Sequence, residues 1–157
     1  MPELPEVETV RRGLQHLITG FTITSAQQLH PRALKSESIA SLESLQGAKI
    51  TGTNRRGKFM WLTLNRAYVL VAHLGMSGQF LIHQKDRPKA THVRAQFTLS
   101  KPLRTRELVF NDQRTFGWLS VEETTNNIPA SAQLPEMTFR ALAMGVILRS
   151  EERRVGK

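Results

Sequence analysis

Loss of the initiator Met, which a following side chain as small as that of Pro2 permits, would leave a secondary amine beside a carboxylate, Glu3. Such an amine can attack an electrophilic carbon and lose water to give an iminium ion. An α-amino group titrates near ~8, against ~10.4 for lysine, so much more of it is unprotonated at pH 7. Proline's amine is more basic than that average, which narrows the advantage without reversing it. Glu3 stands where it could carry protons to and from a leaving group. The same stretch also suits the start of a helix: proline fits a first turn, and Glu6 and Glu8 favour the positive end of the helix dipole. Taken alone, residues 1–8 favour that structural role. The rest of the chain tips the balance.

Four further segments bear on chemistry. Arg55-Arg56-Gly57-Lys58 gathers three cations around a glycine at a tight turn. Such a turn often only guards a sheet edge, but it also suits a phosphate contact. His73-Leu74-Gly75-Met76-Ser77-Gly78 closes a strand with two glycines in four residues and predicts a mobile tip carrying Leu74 and Met76. A methionine is usually core; on a basic surface it is also what a wedge into DNA requires. Asn111-Asp112-Gln113-Arg114-Thr115-Phe116-Gly117-Trp118 reads as a turn with Arg114 and Phe116 pointing the same way. Arg–aromatic pairs at turns are often only packing, but beside a second apolar tip this pair could fill the gap left by an extruded base. His92 precedes a strand, either as a satisfied histidine or as a phosphate contact.

The elements that must hold these residues are legible from periodicity. Val7, Val10, Leu14 and Leu17 form one apolar stripe, predicting a helix from Pro5 to about Thr19 that Gly20 stops. A strand is expected at 21–25 and a short helix at 38–45, with Ile39, Leu42 and Leu45 on one face. From Ala48 to Val121 the period changes to two, in seven short runs bounded by turn dipeptides. The fold class is therefore α+β, mostly β: an N-terminal helix packed on an antiparallel β-sandwich of about seven to eight strands. Residues 122–135 read as a polar linker and 136–145 as the start of another helix.

Composition narrows the partners. The 157 residues carry a net charge of +9. Between Gly47 and Trp118 there are 13 Lys/Arg against three acids, a local net of +10. A field this concentrated implies a polyanion, nucleic acid first and a membrane surface second. No run approaches the ~18 apolar residues of a spanning helix, and no secretory signal opens the chain. The absence of cysteine excludes disulfides and cysteine metal sites, and no histidine pair stands at ligand spacing, so no metal is expected. A cytoplasmic monomer is the default.

Together, Met1-Pro-Glu-Leu-Pro-Glu-Val-Glu-Thr-Val-Arg-Arg-Gly-Leu14, the Arg55-Arg-Gly-Lys58 turn, His73-Leu-Gly-Met-Ser-Gly78 and Asn111-Asp-x-Arg114-x-Phe116-Gly117 resemble bacterial formamidopyrimidine-DNA glycosylases, which repair 8-oxoguanine. The motifs run in order over about residues 2–120; the opening run is highly specific and the other three are weak singly. The resemblance implies that Pro2 attacks C1′ of a damaged nucleotide, Glu3 moves protons, and Lys58 contacts the lesion-side phosphate and serves in β-elimination. It implies that Met76, Arg114 and Phe116 fill the void and hold the orphaned cytosine, that His73 and His92 join the DNA contacts, and that Glu6 links the first helix to a second domain. The partner would be double-stranded DNA with damaged bases or abasic sites, in a nucleoid-associated bacterial protein.

Family members continue through a helix–two-turn–helix and a four-cysteine zinc finger, which these residues lack. The expectation is a catalytic domain at 1–121, then a linker and the start of a helical region at 122–157, with no cofactor in this chain and impaired activity. Two alternatives stay open: a DNA-binding remnant without catalysis, which would bind without forming a covalent adduct, and a tautomerase using an N-terminal proline. The second does not require the +10 central region.

Overall fold

The computed structural model describes residues 4–83 and 90–133. Helix α1 spans Leu4–Ile18. Its buried stripe is Val7, Leu14 and Ile18, with Val10 packed alongside, while Leu17 turns outward. The true stripe thus steps 7, 10, 14, 18, which keeps the 3.6-residue period on one side of the helix. Gly20, at φ +89°, ends it in the left-handed region, where glycine pays no steric penalty. The Arg106 guanidinium donates to the Leu17 carbonyl at 2.8 Å, closing the negative end of the helix.

Among the described residues nine strands follow: β1 (Thr22–Gln28), β2 (Ile50–Arg56), β3 (Phe59–Leu64), β4 (Tyr68–His73), β5 (Gly78–His83), β6 (Val93–Lys101), β7 (Arg104–Asp112), β8 (Trp118–Thr125) and β9 (Ile128–Pro129). They form a four-stranded sheet, β1-β6-β7-β5, and a five-stranded sheet, β2-β3-β4-β8-β9. All these pairings are antiparallel. The main core lies between the sheets: Phe97, Leu99, Leu108 and Phe110 from one, Met60, Leu62, Leu70 and Val121 from the other, closed by Val7, Leu14 and Ile18 of α1.

The five-stranded sheet is covered on its outer face as well. Trp61, Val69, Val71 and Ala132 form a second cluster with Phe59, Trp118 and Ile128. This corrects the expectation of a polar linker from residue 122. β8 runs on to Thr125, and Asn126 and Asn127, both at positive φ, turn the chain into β9. Two left-handed residues in a two-residue loop match the twist of the strands they join. The Glu122 carboxylate, buried, accepts from the Ser131 amide at 2.7 Å and from the Ser131 hydroxyl. The short helix expected at 38–45 is a single 3-10 turn, Leu42–Leu45, capped by Ser41, and Ile39 lies outside the core. The helix expected at 136–145 falls outside the described residues.

Candidate active site and nucleic-acid interface

Strand register gathers the candidate residues at one end of the sandwich. Phe59 of β3, His73 of β4 and Trp118 of β8 lie in one cross-strand row. In the other sheet, Gly78 of β5 pairs with Asp112 of β7. The β2–β3 turn with Gly57 and Lys58, the β4–β5 connection, the β7–β8 connection and the approach to β6 at His92 therefore open at the same end. Helix α1 is tied there as well. Arg55 Nε donates to Glu8 at 2.9 Å, and another Arg55 nitrogen donates to the Gly57 carbonyl at 2.9 Å. Glu8 also accepts from Arg11 at 2.7 Å and Arg12 at 2.9 Å. Hydrogen bonds from Arg11 and then Arg55 hold the Glu8 carboxyl far below the usual carboxylate range. A small cleft of about 210 Å³ lies between Glu6 and Val10 of α1 and Leu74, Gly78 and Phe80.

His73 is built into this end. Its ring stacks on Trp118 at 5.6 Å and meets Phe59 edge-on at 5.3 Å. Its Nδ1 accepts the Gly75 N–H at 3.1 Å. Burial first, then the charges of Lys58 and Lys35, push its pKa below the ordinary histidine value. The neutral ring is the form that can accept at Nδ1, so the electrostatics and the hydrogen bond agree. Lys35 Nζ sits 4.5 Å over the Trp118 ring, on the same aromatic row.

The β4–β5 and β7–β8 connections press backbone on backbone. Gly75, at φ +61°, leaves no room for a Cβ, which would lie 2.6 Å from the Gly117 nitrogen. A Cβ on Gly117 would lie 2.8 Å from the His73 carbonyl oxygen. The mobile tip expected from the glycines is therefore half wrong. Leu74 is 3% exposed and belongs to the main core, whereas Met76 is 50% exposed. The glycines here permit close packing rather than motion. Phe116 projects from the facing connection at 56% exposure. Thr115, between it and Arg114, is left-handed at φ 56°, a conformation costing a β-branched residue about 1–3 kcal/mol. Strand alternation therefore does not run through 114–116, and β8 begins only at Trp118.

Lys58, His73, Met76, His92, Arg114 and Phe116 are thus brought to one end. Arg114 is exposed and its amide donates to Ser77 Oγ at 3.1 Å, joining the two connections. His92 is half-buried, its amide donating to Asn111 and its carbonyl accepting from the Asp112 amide at 2.9 Å. Pro2 and Glu3 lie outside the described residues. Sequence reasoning missed Asp112, which is fully buried with both carboxylate oxygens engaged, and the ion-pair role of Glu8. An aspartate ending an apolar strand was the available signal. The chain has no cysteine, and among the described residues no group of three His, Asp or Glu is placed where it could hold a metal ion. Among the described residues no helix is long and apolar enough to cross a membrane.

Residues 1–119 match the family model of the formamidopyrimidine-DNA glycosylase N-terminal domain. The chain is 47% identical over 124 residues to the formamidopyrimidine-DNA glycosylase of Corynebacterium jeikeium, covering 78% of this chain and 42% of that one. It is 49% identical over 136 residues to the Mycobacterium tuberculosis enzyme of that name, covering 80% and 45%. Among solved structures, Lactococcus lactis Fpg in complex with DNA containing an abasic site superposes with a TM-score of 0.67 at 31% identity, covering 78% of this chain and 45% of that one. MutM in complex with DNA containing carbocyclic 8-oxo-G gives a TM-score of 0.67 at 33% identity, with the same coverage. The chain spans a little under half the length of these relatives. With the motif-bearing connections gathered at one end and the family model matching three quarters of its length, the chain belongs to the formamidopyrimidine-DNA glycosylase N-terminal domain family.

Proposed function

We propose that this end of the sandwich carries out base-excision chemistry on oxidised purines in duplex DNA, as a glycosylase coupled to abasic-site lyase activity. The Pro2 nitrogen attacks C1′, the bond from C1′ to the base breaks, and the departing base takes a proton delivered by Glu3. The C1′–O4′ bond then breaks, O4′ takes up the proton lost from the Pro2 nitrogen, and an iminium remains between Pro2 and C1′. The iminium acidifies the neighbouring C2′–H, and loss of that proton expels the 3′ phosphate in β-elimination, so one nucleophile serves both steps. Lys58, at the glycine turn, grips the lesion-side phosphate, and His73 and His92 contribute further backbone contacts. Met76, Phe116 and Arg114 occupy the space vacated by the extruded nucleotide. The working protein is a monomer of the bacterial cytoplasm.

The observation that carries this reading is the Glu8–Arg55–Gly57 chain of contacts. It ties the start of α1 to the turn bearing Lys58, at the end where Met76 and Phe116 protrude. Two peptide units separate residue 2 from Leu4, a reach of about 7 Å. The test is strand nicking of a duplex with a single abasic site by the chain, its Met1 removed as verified by intact mass, against the same chain extended by Gly-Ser before Pro2. Nicking that disappears on extension supports the proposal. Equal nicking by both, or duplex binding with no nicking by either, overturns the catalytic assignment.

A further inference from the structure

The buried carboxylate of Asp112 has no part in the chemistry above, yet it touches both connections that bear the exposed apolar tips. Asp112 closes β7, is 0% exposed, and pairs in register with Gly78 at the head of β5. Its backbone is held on both sides: the amide donates to the His92 carbonyl at 2.9 Å, and the carbonyl accepts from Arg94 Nε at 2.9 Å. From this fixed base, one carboxylate oxygen accepts from Ser77 Oγ at 2.5 Å and the other from the Gly117 amide at 2.7 Å. Ser77 in turn accepts the Arg114 amide at 3.1 Å. The two anchored amides, Arg114 and Gly117, bracket the left-handed Thr115 and the exposed Phe116. Ser77 immediately follows Met76.

We infer that Asp112, acting through Ser77, is a positioning residue that locks the Met76 and Phe116 tips into one rigid insertion unit. Without the latch, Thr115 would relax toward an ordinary backbone conformation, and the two tips would enter a duplex independently instead of as one pre-shaped wedge. Charge suits the task. A carboxylate accepts both donors at once, whereas an asparagine in the same place presents one acceptor oxygen and an NH2 that cannot accept the second. The inference rests on the duplex-insertion reading above, and its test separates the two.

The latch is read first without DNA. In D112N, and in S77A as a milder variant that keeps the carboxylate, amide hydrogen exchange at Arg114 and Gly117 should accelerate, with core amides of β3 and β4 unchanged. Protection at both positions left intact in a folded S77A chain overturns the latch. Insertion is read separately, by affinity for a duplex bearing a tetrahydrofuran abasic analogue. In the parent, M76A and F116A should be non-additive, with the double variant departing about fivefold from the product of the singles. In the S77A background the two effects should multiply. Coupling that persists unchanged in S77A overturns the latch. If the amides deprotect while neither M76A nor F116A alters duplex affinity, the latch stands and the insertion reading fails.

Discussion

Met76 and Leu103 are both apolar side chains in short connections between strands, at opposite ends of the same sandwich. Leu103 is fully exposed, at 105%, on the β6–β7 turn at φ 63°. Met76 is half-exposed, preceded by the core residue Leu74 and by a glycine pressed on the backbone of the facing connection. The difference is in how tightly the backbone beneath each side chain is determined. Around Met76 three glycines, a buried carboxylate and a neutral histidine fix the chain. At the far end, Lys101 and Arg106 cover the Phe21 ring, at 4.8 and 5.3 Å, and leave the Leu103 tip outside that packing. An exposed apolar residue on its own is unremarkable; one held out on an over-determined backbone is pre-organised to enter something.

The largest effect should come from removing the close approach at the Met76 end. Gly75→Ala forces a Cβ against the Gly117 backbone at a left-handed position and should cost about 2–4 kcal/mol in chemical denaturation. A loss below ~0.5 kcal/mol would mean that the two connections yield easily and that the contrast with Leu103 is empty.

Next in size is the contrast itself. Met76→Ala and Phe116→Ala should each weaken binding to an abasic-analogue duplex about tenfold, in the range expected for contacts stacked on bases. Stability should stay within ~0.5 kcal/mol, as for other exposed substitutions. Leu103→Ser should change neither quantity. Equal losses of affinity at the two ends would erase the distinction.

A smaller effect concerns pH. The folded-state pKa of His73 is lowered, so between that value and the unfolded value near ~6.5 the unfolded chain binds the extra proton. Its contribution to stability is fully present above about pH 6.5 and is lost as pH falls through the folded pKa. Burial, and then the charges of Lys58 and Lys35, set that direction. Denaturation midpoints measured from pH 8 to 5 should fall on the acid side, less so in His73→Phe; identical slopes would remove the histidine from the account. The smallest effect is expected at Leu103→Gly, which relieves a left-handed leucine and should stabilise by under ~1 kcal/mol, set against the entropy glycine gains in the unfolded chain.

Much of the fold was legible because alternation is local. Met60, Leu62 and Leu70 face the main core while Trp61 and Val71 face the second cluster, as a period of two demands. Residues 122–133 were misread because their polar composition hides long-range partners: Glu122 is satisfied by Ser131, and the Asn126-Asn127 pair is a hairpin turn rather than linker. Leu74 was misplaced for a related reason, since glycines next to it signal either mobility or close packing, and only the facing Gly117 decides which. At the site, residue types pointed to His73, Met76, His92, Arg114 and Phe116, all of which meet at one end. Asp112 was invisible as a hub because both its side-chain partners, Ser77 and Gly117, reach it across a connection between strands.

Borohydride reduction of the chain on a duplex with one abasic site, followed by peptide mapping of any adduct, bears most directly on the N-terminal nucleophile. The account predicts a covalent protein–DNA species whose only modified peptide begins at Pro2, in protein whose mass shows Met1 removed. An adduct mapped to Lys58 or another lysine, or none from fully processed protein that still binds the duplex, would contradict it.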